Sequence, residues 1–221
     1  KADRMGALVQ ASKGCYDAAM ALGTPFISGK DSLNNEYQTA AGTIVIPHTL
    51  LITAVAIVPD VHRAVTMDVK RPGSHVILVG LTRDELGGSH WLHLHGRRGN
   101  RPPILDRARA LDVMRRVHAI MRAGLALSCH DLSEGGLAVA AAECAFAGAF
   151  GMDIELACVP ATADCDDSTR LFSESLTRFL IEIAPDDAEA VDRLLEGVPH
   201  AKIGRVTMEP VLVIRGMTGE P

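Results

Sequence analysis

Hydrophobic positions in the first part of the chain predict one helix, two strands and a polar loop. Across residues 4–22, apolar residues recur every three or four positions, which is the spacing of one helix face. Residues 24–28 form a short apolar run that we expect to be a strand, and residues 29–42 are polar. Residues 50–58 form a continuous run rich in Ile and Val, which is typical of a strand buried on both faces.

The pattern changes after residues 67–74, where Lys-Arg-Pro-Gly marks the best linker in the chain. Beyond it, strands and helices interleave without a strict βαβ rhythm. The predicted strands are 75–79, 152–156, 178–183, 201–206 and 211–214, and the predicted helices are 104–126, 135–148 and 187–195. The fold class is therefore α/β (α+β), with a mixed sheet covered by helices.

Composition narrows the class of protein. The 221 residues allow one large domain or two small ones, and 48% hydrophobic with only 4% aromatic residues predicts a core of Ala, Val, Leu and Ile. The net charge is −5, so the chain does not have the excess of basic residues that is typical of a nucleic-acid binder. No apolar run reaches the length of a membrane helix. The five cysteines show no close paired spacing, which favours reduced thiols in the cytoplasm. The chain starts at Lys1 without Met, so we expect residues upstream.

A first candidate site follows the strand expected at residues 24–28. Gly29 would let backbone N–H groups approach an anion, and Lys30 would add a positive charge. Asp31 or Glu36 could hold Mg²⁺ through carboxylate oxygen. The segment is not a Walker A loop, because the first Gly and the Ser or Thr after Lys of that motif are missing. A solvated turn is an equally good interpretation of the spacing.

A second candidate site lies at residues 128–137, where an apolar strand gives way to an alanine-rich helix. Ser133 is placed to cap that helix, and Glu134 suits its positive end, so capping alone accounts for both. Capping does not explain His130 and Asp131 directly before a Gly-Gly pair, Gly135 and Gly136. A carboxylate facing a helix amino terminus is a good arrangement for a magnesium nucleotide.

Two further segments are weaker. Glu174, between two serines, could orient a hydroxyl-rich ligand or form a polar turn. His90, His93 and His95 match no zinc spacing, and we expect a partly exposed helix or loop there. We find no convincing catalytic nucleophile and assign no catalytic residue.

Five motifs together resemble one family. They are Gly-Cys-Tyr-Asp-Ala-Ala at 14–19, Pro-Phe-Ile-Ser-Gly-Lys-Asp-Ser-Leu-Asn-Asn-Glu at 25–36, Asp-Glu-Leu-Gly-Gly-Ser at 84–89, His-Asp-Leu-Ser-Glu-Gly-Gly-Leu at 130–137 and Leu-Phe-Ser-Glu-Ser at 171–175. In this order they resemble the second half of the synthetase subunits of the phosphoribosylformylglycinamidine synthase family, within the aminoimidazole ribonucleotide synthetase superfamily.

The resemblance implies a domain organisation. Residues 1–70 would be the carboxy-terminal part of the second amino-terminal-type domain, which serves ATP binding and dimerisation. Residues 73–216 would be a synthetase carboxy-terminal-type domain. The rest of the synthetase chain would be a partner, and the isolated chain is expected to be inactive.

The resemblance also implies a reaction. The family uses ATP and Mg²⁺ to convert formylglycinamide ribonucleotide to formylglycinamidine ribonucleotide in purine biosynthesis, with ammonia from a glutaminase subunit or domain. Gly29 and Lys30 would contact ATP, Ser32 the substrate, and Asp31 and Glu36 the metal. Asp131 and Ser133 would contact the metal and nucleotide of an auxiliary site, with His130, Glu134, Gly135, Gly136 and Glu174 as weaker candidates.

Two alternatives stay open at this point. One is a structural or nucleotide-binding module whose catalysis lies in another part of the synthetase. The other is a different ATP-dependent member of the superfamily, which would lack the motifs at 25–36 and 171–175.

Overall fold

The computed structural model describes residues 2–32 and 35–218, and for residues 2–4 it describes the backbone alone. The chain divides into two compact units, unit 1 at Lys1–Val58 and unit 2 at Pro59–Pro221. No helix of the described chain is long and apolar enough to cross a membrane.

Unit 1 contains a long helix and a hairpin. Helix α1 spans Ala2–Leu22 and confirms the predicted helix. Strands β1 (Glu36–Thr39) and β2 (Gly42–Val45) pair antiparallel around a two-residue turn. Residues 29–42 are polar, and the sequence therefore indicates no hairpin there. The two strands carry no regular alternation of apolar and polar residues, and the chain turns before Gly42 (φ 133°).

The two strands predicted in unit 1 are wrong. Residues 24–28 and 50–58 contain no strand, and the large apolar side chains of the second run are exposed, Ile57 by 91%. A strand exists only when a neighbouring strand takes its backbone hydrogen bonds. No described residue makes a backbone hydrogen bond with residues 50–58, so the apolar run alone does not produce a strand.

Unit 2 is built on a six-stranded mixed sheet. Its strands are β3 (His75–Val79), β4 (Ala126–Asp131), β5 (Gly151–Glu155), β6 (Phe179–Ile183), β7 (His200–Thr207) and β8 (Leu212–Arg215). They lie in the order β4-β6-β3-β7-β5-β8, and all neighbouring pairs are antiparallel except β5 and β8, which are parallel. The predicted strands of this unit are confirmed, with ends shifted by a residue or two.

Helices cover both faces of this sheet. They are α2 (His90–Leu94), α3 (Arg107–Arg122), α4 (Gly136–Gly148), α5 (Asp167–Phe172) and α6 (Ala188–Leu194), with short 3-10 turns at Val61–Arg63, Leu156–Cys158 and Pro185–Asp187. Helix α3 begins where the Asp106 carboxylate accepts the N–H of Arg109 at 3.3 Å, and it buries Val113, Val117 and Ile120. Helix α4 packs through alanines on the opposite face.

The core is therefore double. One cluster, including Leu78, Leu137 and Ile154, lies between the sheet and α4, and the other, including Ile77, Ile120 and Ile181, lies under α3 and α6. Both consist almost entirely of aliphatic residues, as the composition predicts. The prediction of a mixed sheet covered by helices is confirmed for unit 2.

A buried carboxylate ties the linker to this sheet. Glu182 on β6 accepts the backbone N–H groups of Lys70 at 2.7 Å and Arg71 at 3.0 Å, and the hydroxyl of Ser74 at 2.5 Å. The side chain is fully enclosed, so these three bonds replace the water it would otherwise bind. The segment predicted as a linker is thus part of the packed body of unit 2.

Candidate functional site

Three of the five motif segments meet at one edge of the sheet. Strands β3 and β4 are both antiparallel to β6, so their carboxyl ends lie at the edge where β6 begins. The segments after β3 (80–90), after β4 (131–136) and before β6 (171–178) therefore converge. Arg178 and Thr82, which are bonded there, are 96 positions apart in sequence. The geometry at this edge defines the candidate site.

Asp131 stands at the end of β4, as predicted. Its side chain is 65% exposed and lies 3.4 Å from Nδ1 of His130. His130 is largely enclosed, and its Nε2 lies 2.9 Å from Oε2 of Glu143 on α4. Leu132 and Leu137, on either side of the turn that follows Asp131, are both buried in the core. Asp131 is thus an accessible carboxylate on a rigid strand end.

The prediction that Ser133 caps α4 is wrong. The cap position belongs to Gly135, which has a left-handed φ of 77°, and no side chain caps this helix. Gly136 also has a positive φ, 62°, and a Cβ there would lie 2.4 Å from the carbonyl oxygen of Ser173. Both positions favour glycine because of their positive φ, and only Gly136 packs against the backbone of the neighbouring segment. Ser133 and Glu134 remain exposed on the outside of this turn.

Glu174 contacts the other two segments. Its Oε1 accepts the backbone N–H of Gly135 at 3.0 Å and that of His90 at 3.3 Å. Of the two interpretations offered by the sequence, the geometry favours the polar turn, because this oxygen already bonds protein backbone. His90 also lies near Glu134, with 3.4 Å between Nε2 and Oε2.

Arg178 is the residue that sequence analysis missed. It is completely buried, and it donates to the carbonyls of Ser173 and Ser175 and to the hydroxyl of Thr82. Burial lowers the pKa of its guanidinium to about 10, and the negative charge of Glu85 acts in the opposite direction. An arginine before an apolar strand carries no sequence signal of burial, so only the packed structure identifies it.

The first candidate loop lies in unit 1, and residues 29–32 of it are exposed. Lys30 donates to the carbonyl of Asp31 and, at 2.9 Å, to the hydroxyl of Ser32. Gly29 has no other atom within 4 Å of a Cβ position, so the structure leaves its backbone open to approach. Glu36 begins β1, and Leu33 and Asn34 of this motif lie outside the described residues.

The segment that carries His90 and His93 forms helix α2, which confirms the helix of the predicted helix or loop. Ser89 caps α2 by accepting the N–H of Leu92 at 3.3 Å, and His90 and His93 are exposed. Trp91 stacks on Phe172 with 3.9 Å between ring centroids and 6° between planes.

Burial raises the pKa of the thiols of Cys129 and Cys144, to about 11 and about 12, so both are poor nucleophiles at neutral pH.

The residues present suit a hydrated Mg²⁺ better than a metal enclosed by protein. Within the described residues, no group of three or more His, Cys, Asp or Glu side chains could hold a metal ion. Mg²⁺ is commonly held by one or two carboxylates together with water and phosphate oxygens. Asp131, as an exposed carboxylate at a strand end, offers that kind of ligand.

A small cavity also lies at this edge, on the α3 side, with a volume of about 30 Å³. Its lining includes Gly80, Arg83, Asp106, Arg109 and Thr177. Asp131 is not among the residues that line this cavity.

Comparison with known proteins places this fold in a family. Residues 71–216 match the model of the AIR synthase related protein, C-terminal domain, which is more than half of the chain. The chain belongs to the AIR synthase-related family. The matched residues include every strand of the six-stranded sheet and all three segments at its edge.

Relatives within this family extend the similarity into unit 1. The phosphoribosylformylglycinamidine synthase subunit PurL of Moorella thermoacetica is 38% identical over 216 residues, covering 95% of this chain and 28% of the relative. PurL of Anaeromyxobacter sp. is 35% identical over 229 residues, covering 100% of this chain and 29% of the relative. The chain thus spans somewhat more than a quarter of these relatives, and the resemblance predicted from the motifs is confirmed.

Solved structures agree on the fold. Thermotoga maritima PurL complexed with FGAR has a TM-score of 0.63 at 22% identity, covering 72% of this chain and 28% of that one. The same protein complexed with ATP has a TM-score of 0.60 at 21% identity, covering 71% of this chain and 25% of that one. Thiamine-monophosphate kinase from Stenotrophomonas maltophilia has a TM-score of 0.51 at 20% identity, covering 70% of this chain and 54% of that one. These AIR synthase-like neighbours confirm the predicted fold.

Proposed function

We propose that this chain is the carboxy-terminal part of the synthetase subunit of phosphoribosylformylglycinamidine synthase, a cytoplasmic ligase of purine biosynthesis. The observation that carries the proposal is the identity of 35–38% to subunits of that name over nearly the whole chain. The complexes of Thermotoga maritima PurL with ATP and with FGAR support nucleotide and substrate as the ligands. The reaction is the ATP-dependent amidation of formylglycinamide ribonucleotide with ammonia supplied by a glutaminase.

In this proposal the two units have different roles. Unit 1 makes up most of residues 1–70, the end of the second amino-terminal-type domain, and its loop at Gly29–Ser32 belongs to the working site for ATP and substrate. The remaining strands of that domain, in the rest of the synthetase, cover the exposed apolar run at residues 50–58. Unit 2 supplies the carboxy-terminal-type domain, residues 73–216, with an auxiliary nucleotide site at Asp131.

The proposed amidation depends on positioning the substrate and ATP and on neutralising phosphate charge, and it needs no protein nucleophile. Mg²⁺, when bound, neutralises phosphate charge. Asp31, Glu36 and Asp131 are the carboxylates proposed to hold it, and Lys30 adds a cation at the phosphate. Ser32 orients the substrate, and Gly29 leaves space for phosphate to approach the backbone. The isolated chain then binds nucleotide but lacks amidation activity.

Magnesium-dependent nucleotide binding tests the proposal. The thermal stability of the 221-residue chain is measured with Mg²⁺ and ADP or ATP. A ligand at 100 times its dissociation constant adds about 2.7 kcal/mol of stability, and we expect Asp131→Asn to remove that gain. Asp192→Asn is the matched control, because Asp192 is 66% exposed and also lies beside a histidine, His200, at 3.3 Å.

The alternative function is a structural module with catalysis elsewhere in the synthetase. Unit 2 favours it in one respect, since its motif segments bond mainly to one another. If neither nucleotide stabilises the chain, with or without Mg²⁺, this module is the better description and the auxiliary site is rejected. Equal loss of the nucleotide effect in both Asp variants would reject Asp131 as a specific ligand.

A further inference from the structure

One carboxylate oxygen joins two of the segments at the site. Oε1 of Glu174 accepts the N–H of Gly135, at the amino end of α4, and the N–H of His90, at the start of α2. The first donor belongs to the segment that carries Asp131, and the second to the segment that follows β3. A hydrogen bond from a backbone N–H to a carboxylate is stronger than one between neutral groups.

The turn that carries Glu174 is fixed from below. The serines on either side of Glu174, Ser173 and Ser175, are fully buried, and both of their carbonyls accept hydrogen bonds from the guanidinium of Arg178. The third contact of that guanidinium is the hydroxyl of Thr82, 3.0 Å away. Because the guanidinium is planar and rigid, its three hydrogen bonds fix the position of the turn.

Neighbouring contacts extend this support to the segment of Asp131. The N–H of Leu132, the residue after Asp131, donates to the carbonyl of Arg178 at 2.9 Å. Gly136 lies so close to the backbone of Ser173 that it has no space for a side chain. The direction of Asp131 and Ser133 therefore depends on the same turn that holds Glu174.

We propose that Glu174 is a positioning residue for the nucleotide site, aimed by buried Arg178 and holding Gly135 and His90 through a single carboxylate oxygen. It binds no ligand itself. It keeps the segment from Asp131 to Gly136 in one conformation, so that a magnesium nucleotide meets a preformed site. What is positioned rests on the proposed function, whereas the contact between Glu174 and the two N–H groups does not.

NMR of the full chain tests the contact itself. The amide proton shifts of Gly135 and His90 are compared at one pH, about 7, between the unmodified chain and Glu174→Gln. An amide oxygen is a weaker acceptor than a carboxylate, so we expect both amide protons to move upfield in Glu174→Gln. Unchanged shifts at both residues, or a change at only one of them, would overturn the proposal.

Calorimetry with Mg²⁺ and ADP tests the positioning. Glu174→Ala should weaken binding about tenfold, whereas Glu174→Gln, which keeps an acceptor oxygen, should restore most of it. Glu189→Gln, on the exposed surface of α6, should leave binding unchanged. A purely structural role would lower the melting temperature of Glu174→Ala without changing the dissociation constant measured well below it, and that result would also overturn the proposal.

The two experiments separate this inference from the proposed function. If the unmodified chain binds no ADP, the proposed nucleotide site fails and with it the positioning role. The amide proton shifts of Gly135 and His90 in Glu174→Gln then still decide whether Glu174 joins the two segments.

Discussion

Unit 1 and unit 2 differ in what their apolar sequence becomes. Residues 50–58 are as continuously apolar as β3 or β6, yet the first run is exposed and the two strands are buried. No described residue of unit 1 is buried, whereas unit 2 has two aliphatic clusters, one on each side of its sheet. An apolar run is buried only where other elements of the same unit cover it.

The polar residues show the same difference. In unit 2, Arg178 and Glu182 are buried, and each is held by groups from distant parts of the sequence. In unit 1, Lys30 bonds only its two following neighbours among the contacts of the described residues. Long-range polar contacts therefore accompany the packed core, and they are what fixes the segments at the candidate site.

Hydrogen exchange should show the largest difference between the units. Amides of β3 and β6 exchange only when the sheet opens, whereas residues 50–58 make no backbone hydrogen bond with described residues. We expect protection at least about a thousandfold greater in the two strands. Mass spectrometry of exchanged peptides measures it, and comparable protection of residues 50–58 would contradict the comparison.

A matched pair of substitutions tests the same contrast in stability. Ile181 is completely buried in β6, and Ile57 is 91% exposed. Ile181→Ala should lower the free energy of unfolding by about 2–5 kcal/mol, because it leaves a cavity. Ile57→Ala should change it by less than about 0.5 kcal/mol. Urea unfolding of each variant gives both values, and similar losses would show that residues 50–58 are packed in solution.

The smallest expected effect is a pH dependence. Burial, helped by the charge of Lys202, lowers the pKa of His75. The unfolded chain then takes up a proton more readily than the folded one, so stability falls as pH drops through the ordinary histidine pKa toward the lowered one. His75→Asn should therefore lose less stability between about pH 7 and pH 5 than the unmodified chain.

The matched control for this effect is His48→Asn, since His48 is an exposed histidine in unit 1. Urea midpoints at the two pH values give the comparison. If His48→Asn changed the pH dependence as much as His75→Asn, the difference could not be assigned to burial at β3.

Local sequence predicted much of unit 2 and part of its site. The strand at His75–Val79 was predicted to the residue, and Asp131 was placed at the end of its strand. Both rest on signals that a few neighbouring residues carry, namely an apolar run and the polar residues that end it. Ser133 has the right chemistry for a helix cap locally, but the cap position falls at Gly135, in a turn whose next residue, Gly136, packs against the backbone of the distant Ser173.

Sequence patterns were enough to identify the family, the class of fold, the helices with clear periodicity and the strands that find neighbours. The packed structure was needed to show which apolar runs are covered, that Arg178 is buried, and that Glu174 bonds to Gly135 and His90. The physical reason is the range of the interactions. Periodicity and capping act within a turn or two of chain, whereas burial and hydrogen-bond partners at the sheet edge depend on residues as many as 96 positions away.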